Sequence, residues 1–130
     1  MLRSLMAAAV LVACSKSASP PKPFTGKLTI DRLESLTMQS VPVCAGSWDE
    51  DFAKVQARVG VPTKIEGNNY YWAVKEGDRC AIVSVERGEC PPSWNKPGAR
   101  LVSATDPMET TATSTTGNHD KCIRIASDAP

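Results

Sequence analysis

The fold is decided by the stretch SWDEDFAKVQARVGVP, residues 47–62. Ser47 is followed three residues later by Glu50, the pattern of a capping box, and the acidic first turn suits the positive end of a helix dipole. Apolar residues then recur at spacings of four, three and four, on one helical face: Trp48, Phe52, Val55 and Val59. Gly60 and Pro62 end the pattern, and Val61 is expected to pack back. The stretch predicts an amphipathic helix over residues 48–59.

Beyond this helix the apolar period changes to two, which is typical of strands. Residues 69–75 and 80–86 alternate, and Gly77-Asp78 between them suits a two-residue hairpin turn. That turn sets residue 75 opposite residue 80, so one hairpin face becomes largely apolar: Tyr70, Trp72, Val74, Ala81, Val83 and Val85. We expect the apolar face of the helix over residues 48–59 to pack on this hairpin face, because an isolated two-stranded hairpin is only marginally stable. The other face is mixed and carries Tyr71.

Weaker patterns flank these two elements. Residues 28–33 predict a short helix with Thr29 as its N-cap, and residues 63–66 and 99–104 predict two further strands. Residues 105–119 form a polar, Thr-rich tract that we expect to be a mobile loop, and residues 122–125 alternate like an edge strand. The prediction is one α+β domain over residues 24–130, with two short helices packed on one face of a small antiparallel sheet and a loop-rich C-terminal part.

The N-terminus has the pattern of an exported chain. Arg3 precedes an apolar run over residues 5–13, which is shorter than the roughly 20 residues of a transmembrane helix and matches a signal-peptide core. The run ends in Leu11-Val12-Ala13-Cys14, which resembles the lipobox of bacterial lipoproteins. The resemblance implies that residues 1–13 are a signal peptide and that Cys14 is acylated, by palmitate among other chains. The alternative is an ordinary secretory signal with a chance cysteine.

Two further features accompany the lipobox. Ser15 follows the cysteine, which by the same resemblance implies an outer-membrane lipoprotein facing the periplasm. Residues 14–23 are rich in Ser, Pro and Lys and predict an extended tether between the lipid and the domain.

The remaining four cysteines are Cys44, Cys80, Cys90 and Cys122. An even number in a small exported domain predicts two disulfides. Zinc would need close ligand pairs, and the spacings here are 36, 10 and 32, so we expect no metal and no cofactor. Three connectivities are possible. We favour Cys44–Cys80 with Cys90–Cys122, because that pairing joins helix to sheet and fixes the C-terminal segment.

The order of these elements is similar to the SmpA/OmlA (BamE-like) lipoproteins and the β-lactamase inhibitor protein superfamily. The matching parts are Leu28 to Leu33, Trp48 to Pro62 and Tyr70 to Val85. The resemblance implies two helices on one sheet face and no catalytic residue, since the family is mostly non-enzymatic. The chain departs from the pattern in the insertion that holds Pro42 and Cys44 and in everything past residue 87.

Composition and motifs limit the function further. The chain has 15 basic and 14 acidic residues, and removal of Arg3 with the signal peptide leaves 14 of each, which argues against a nucleic-acid binder. The only histidine is His119, in the polar tract, and no nucleophile–base motif is present, so we do not expect an enzyme. A small hydrolase using paired carboxylates remains an alternative, although helix capping already explains the acidic residues 49–51.

The sequence therefore predicts a non-catalytic lipoprotein, held to a membrane through Cys14, that binds an envelope protein or supports an assembly. The alternative is an inhibitor or a lipoprotein that binds a small ligand or glycan. In either case the aromatic candidates for the binding surface are Tyr71 on the mixed sheet face and Trp94 in a Pro-rich loop.

Overall fold

The computed structural model describes residues 21–36, 40–113 and 118–128. The predicted signal peptide and Cys14 lie outside these residues. The described helices are α1 (Ile30–Glu34), α2 (Trp48–Val59) and α3 (Asn118–Ser127). The described strands are β1 (Lys64–Glu66), β2 (Asn69–Glu76), β3 (Arg79–Gly88), β4 (Arg100–Ala104) and β5 (Met108–Thr111). The predicted α+β class is confirmed, but α3 and β5 were not predicted, and the predicted edge strand over residues 122–125 lies within α3.

The five strands form one antiparallel sheet in the order β1-β2-β3-β4. β2 covers one edge of β3, while β4 and β5 share the other edge, β4 beside residues 85–88 and β5 beside residues 79–82. The predicted hairpin register is confirmed, since Lys75 pairs with Cys80 and Val74 with Ala81. The two-residue turn thus fixes which side chains face each side of the sheet.

Helix α2 forms where the local sequence predicts it. The hydroxyl of Ser47 accepts from the Glu50 N–H (3.2 Å), and the Glu50 carboxylate accepts from the Ser47 N–H (3.3 Å), which completes the capping box. The apolar face of α2 packs together with α1 against the apolar face of the hairpin. The resulting core includes Ile30, Leu33, Trp48, Val55, Val59, Trp72, Val83 and Val85. The predicted packing of two helices on one sheet face is confirmed.

Gly60 ends α2 in a conformation that other residues adopt with strain. Its φ is +85°, its N–H donates to the Gln56 carbonyl (2.8 Å), and its own carbonyl accepts from Trp72 Nε1 (2.8 Å). A Cβ added here would lie 2.9 Å from the carbonyl oxygen of Phe24. The glycine therefore permits both the helix end and the close approach of the N-terminal segment.

We expect Gly60→Ala to lower the free energy of unfolding by about 2 kcal/mol, because it adds backbone strain and a contact with Phe24. Gly67→Ala is the matched control, since Gly67 also has a positive φ (+61°) but open space around its Cβ position. Urea unfolding should show the larger loss for Gly60→Ala. Equal losses would mean that the Phe24 contact contributes nothing.

The opposite sheet face is covered by α3. A second buried cluster consists of Tyr71, Ala73, Cys80, Cys122 and Ile125. The prediction of an edge strand over residues 122–125 is wrong, because Cys122 and Ile125 lie three residues apart on the buried face of a helix and both are fully buried. In so short a segment, an alternating pattern does not exclude a helical one.

The polar tract over residues 105–119 also differs from the prediction. It contains strand β5, which pairs with β3 and buries Thr110, and the start of α3. Pairing with the free edge of β3 supplies the stability that the composition of the tract does not indicate. Residues 114–117 of the tract lie outside the described residues.

Two disulfides cross-link the domain, as predicted, but the connectivity that we favoured from the sequence is wrong. The bonds join Cys44 to Cys90 and Cys80 to Cys122. Cys80 lies on the mixed sheet face, where α3 brings Cys122, whereas Cys44 lies before α2 and its N–H donates to the Leu101 carbonyl of β4 (2.8 Å). The sheet register therefore determines the pairing, since Cys80 faces α3.

Candidate functional site

Tyr71, one of the two aromatic residues predicted to form a binding surface, is buried. Its side chain is only 8% exposed and lies beneath α3. Lys121 Nζ lies 4.6 Å from the ring centroid and donates to the phenolic oxygen (3.1 Å). The mixed sheet face is thus an internal contact, and Tyr71 does not join Trp94 in an open surface.

Trp94, the other predicted residue, is 54% exposed. It ends a short 3₁₀ turn (Pro92–Trp94), and Asn95 follows it in the left-handed conformation with φ +53°. We call residues 89–98 the Trp94 loop. Its base is held by the Cys44–Cys90 disulfide and by Lys96 Nζ, which donates to the Ala45 carbonyl (3.1 Å). The loop presents one large aromatic side chain on an anchored base.

Small depressions of about 350 and 280 Å³ lie beside the Trp94 loop. The larger one is lined by Asn68, Arg87 and Glu89, together with Gly88, Gly98 and Ala99. The smaller one is lined by residues of the loop itself, including Asn95 and Lys96. Hydrogen-bonding side chains therefore lie beside the base of the loop that carries Trp94.

A larger groove, of about 1220 Å³, was not predicted. Its walls are the N-terminal segment (residues 22–28), the last residue of α2 with the connection to β1 (59–63), the end of β2 (73–75) and the end of α3 (126–127). Its lining is apolar except at a few positions and includes three lysines but no acidic residue: Lys22, Lys27 and Lys75. We call it the lysine groove.

The lysine groove exists because the N-terminal segment is fixed against α2. The Phe24 N–H donates to the Gln56 carbonyl (2.9 Å), and the Arg32 guanidinium lies 3.6 Å from the centroid of the Phe24 ring. On the other side β1 pairs with β2 only as far as Tyr71, and beyond that point the Thr63 side chain hydrogen-bonds the backbone of Ala73. The end of β2 is therefore left open toward the groove.

Sequence patterns contain little information about this groove. Val61, which we expected to pack back on the helix end, is 66% exposed and lines it. Its lysines come from segments about 50 residues apart, so no local pattern groups them.

Ion pairs hold the end of α3 beside the groove. Lys64 of β1 contacts Asp128, and Arg124 Nη1 lies 3.0 Å from the Glu66 carboxylate. The hydrogen bond and charge of Lys64 lower the pKa of Asp128. Because Asp128 is ionised more readily in the folded state, this pair stabilises the fold above the unfolded pKa of an aspartate, about 3.9.

We expect the docking of α3 to weaken as the pH falls from 5 through the lowered pKa of Asp128, since protonation removes the charge that Lys64 contacts. Hydrogen exchange of α3 amides between pH 6 and pH 3 measures this, and Asp128→Asn should flatten the dependence. Asp78→Asn, in the β2–β3 turn, is the control. An unchanged profile in Asp128→Asn would contradict the assignment.

The described residues contain one histidine, His119. His119 is half-buried in the first turn of α3, and its Nδ1 lies 3.0 Å from the Thr110 hydroxyl of β5. Across residues 21–36, 40–113 and 118–128, no three His, Cys, Asp or Glu side chains converge on a possible metal position. Over the same residues, no helix has the length and apolar character needed to cross a membrane.

The chain matches no protein-family model, no curated protein and no solved structure. The resemblance to the SmpA/OmlA lipoproteins therefore stays a prediction.

Proposed function

We propose that this chain is a non-catalytic lipoprotein of the cell envelope, anchored through acylated Cys14 and facing the periplasm from the outer membrane, which binds an envelope protein through the Trp94 loop. The lipobox sequence and the Ser/Pro/Lys tether support the anchor. The partner-binding role rests on the position of Trp94 relative to the N-terminal segment.

That position is the observation that carries the proposal. The N-terminal segment contacts the C-terminal end of α2, where Phe24 donates to Gln56. The Trp94 loop lies at the N-terminal end, where Lys96 donates to the Ala45 carbonyl just before α2, and the Trp48 N–H donates to the carbonyl of Ala99, the residue that follows the loop (3.3 Å). A 12-residue helix is about 18 Å long. Trp94 is therefore displayed at the end of the domain away from the residues that lead to Cys14.

An exposed tryptophan on a loop whose base is fixed by a disulfide is suited to protein binding. Tryptophan is among the residues that most often dominate the binding energy of an interface, and a loop fixed by a disulfide loses little conformational entropy on binding. Asn68, Arg87 and Glu89 line a depression beside the Trp94 loop and supply polar groups of the kind found at an interface rim.

Photo-crosslinking in the full-length chain tests this role. A photoreactive phenylalanine analogue at position 94 should give a discrete adduct with one envelope protein in Gram-negative cells. The same analogue at position 65 is the matched control, because Ile65 is 55% exposed but belongs to the edge strand β1 and not to the loop. We expect Trp94→Ala to reduce recovery of that partner about 30-fold and Ile65→Ala to leave it unchanged. Equal adducts at both positions, or none at position 94, would contradict the proposal.

A glycan is the second candidate ligand, favoured by the hydrogen-bonding side chains beside Trp94. One sugar ring would stack on the indole, and other rings of the glycan would hydrogen-bond in the depression lined by Asn68 and Glu89. In that case the adduct formed at position 94 would contain polysaccharide in place of protein.

A further inference from the structure

We infer that the lysine groove binds a single-chain anionic amphiphile, a molecule with one acyl chain and a carboxylate head, such as a long-chain fatty acid. The inference concerns a different surface from the Trp94 loop. It requires neither acylation of Cys14 nor a partner at position 94.

The lining of the groove is divided between apolar surface and positive charge. Val59, Pro62 and Val74 give it apolar walls, and Val61, at 66% exposure, leaves uncovered hydrocarbon there. Phe24 and Leu28 extend this surface along the N-terminal segment. An acyl chain buried here would remove apolar area of both the ligand and the protein from water, which favours binding.

The charge of the groove selects the head group. Lys22, Lys27 and Lys75 come from two different elements, and none of the lining residues is acidic. Glu76, the nearest acid in sequence to Lys75, is directed to α1, where its carboxylate accepts from the Ile30 N–H (2.9 Å). A carboxylate head in this groove would meet cations and no carboxylate of the protein.

These lysines also differ from other cations of the domain. Lys64, Arg79 and Arg124 each contact a carboxylate: Asp128, Glu109 and Glu66. Among the described residues, the lysines of the groove have no acidic side chain within ion-pair distance. An anionic ligand would therefore bind them without displacing an internal ion pair.

The walls of the groove favour an acyl chain that lies between them over a flat membrane contact. The groove has walls from four segments and a volume of about 1220 Å³, above the 300–1,000 Å³ that is usual for small-molecule sites. A flat bilayer surface would leave the apolar walls of the groove uncovered. We therefore assign the groove to a free amphiphile that enters it.

The test uses the full chain with Cys14→Ser, purified without detergent so that nothing competes for the groove. Dodecanoate, below its micelle concentration, should cause saturable shifts in the amide resonances of Phe24, Val61 and Lys75. Dodecanol and dodecyltrimethylammonium are the matched probes without negative charge, and we expect each to bind at least tenfold more weakly.

Two variants check the residues. Lys27→Gln/Lys75→Gln should weaken dodecanoate binding on the order of tenfold, since hydrogen bonds to charged groups are lost, while Lys54→Gln on α2 should have no effect. Circular dichroism confirms that each variant is folded. Equal binding of the cationic probe, shifts confined to other surfaces, or a response to anionic vesicles but not to dodecanoate would each overturn the inference. None of these outcomes bears on the Trp94 loop.

Discussion

Replacing Cys80 and Cys122 together with alanine is expected to lower the free energy of unfolding by about 4 kcal/mol and to release α3 from the sheet. The bond closes a separation of 42 residues, for which the chain-entropy model gives about 4 kcal/mol. Both cysteines are fully buried, in the cluster that holds α3 over Tyr71 and Ile125. Urea unfolding measures the loss, and limited trypsin digestion at Lys121 and Arg124 reports the release of the helix.

The Cys44→Ala/Cys90→Ala variant is the matched control. Its bond closes a similar separation, 46 residues, so the same model predicts a similar loss of stability. This variant should loosen the Trp94 loop and leave α3 resistant to trypsin. If both variants released α3 equally, the Cys80–Cys122 bond would not be what holds that helix.

The second large effect is expected at Trp72. Its side chain is fully buried between α2 and the sheet, and its Nε1 donates to the Gly60 carbonyl (2.8 Å). Trp72→Ala should therefore lower the free energy of unfolding by about 3–5 kcal/mol, through lost contacts and the cavity left behind. Trp72→Phe should lose about 1–3 kcal/mol, because the Gly60 carbonyl is left without its donor.

Trp94→Ala is the control for Trp72→Ala, since the same side chain is removed from a position that is 54% exposed. Its effect on stability should be within about 0.5 kcal/mol. Urea denaturation followed by far-UV circular dichroism distinguishes the variants. A loss at Trp94 comparable with that at Trp72 would show that the loop belongs to the folded core.

The parts of the fold that follow from the sequence are those specified by neighbouring residues. Ser47 and Glu50 begin α2, its apolar residues repeat along one face, and Gly60 ends it, so each signal lies in the helix or directly beside it. The hairpin register follows in the same way from Gly77 and the alternation on either side of it.

The other elements depend on contacts between distant residues. Strand β5 is stabilised by the free edge of β3, which lies about 30 residues earlier in the chain. Helix α3 was missed because the short segment around Cys122 and Ile125 fits both periods, and only the sheet beneath it decides between them. The disulfide pairing was wrong for the same reason, although the predicted register had already placed Cys80 on the face that α3 covers.

The candidate binding surfaces also differ in whether neighbouring residues or distant contacts specify them. An exposed aromatic in a Pro-rich loop is visible in the sequence, and Trp94 is exposed. Tyr71 is buried because of a helix that the sequence did not predict. The lysine groove brings together lysines of the N-terminal segment and of β2. These segments are distant in the sequence and meet only in the folded chain.

Mass spectrometry of the protein isolated from cell envelopes tests the central claim, the lipid anchor, most directly. Cys14 lies outside the described residues, so the anchor rests on the Leu11-Val12-Ala13-Cys14 sequence. We expect an N-terminal peptide that begins at Cys14 and carries acyl chains, and a Cys14→Ala protein that no longer fractionates with membranes. An unacylated N-terminus at any other residue, in a protein that still fractionates with membranes, would contradict it.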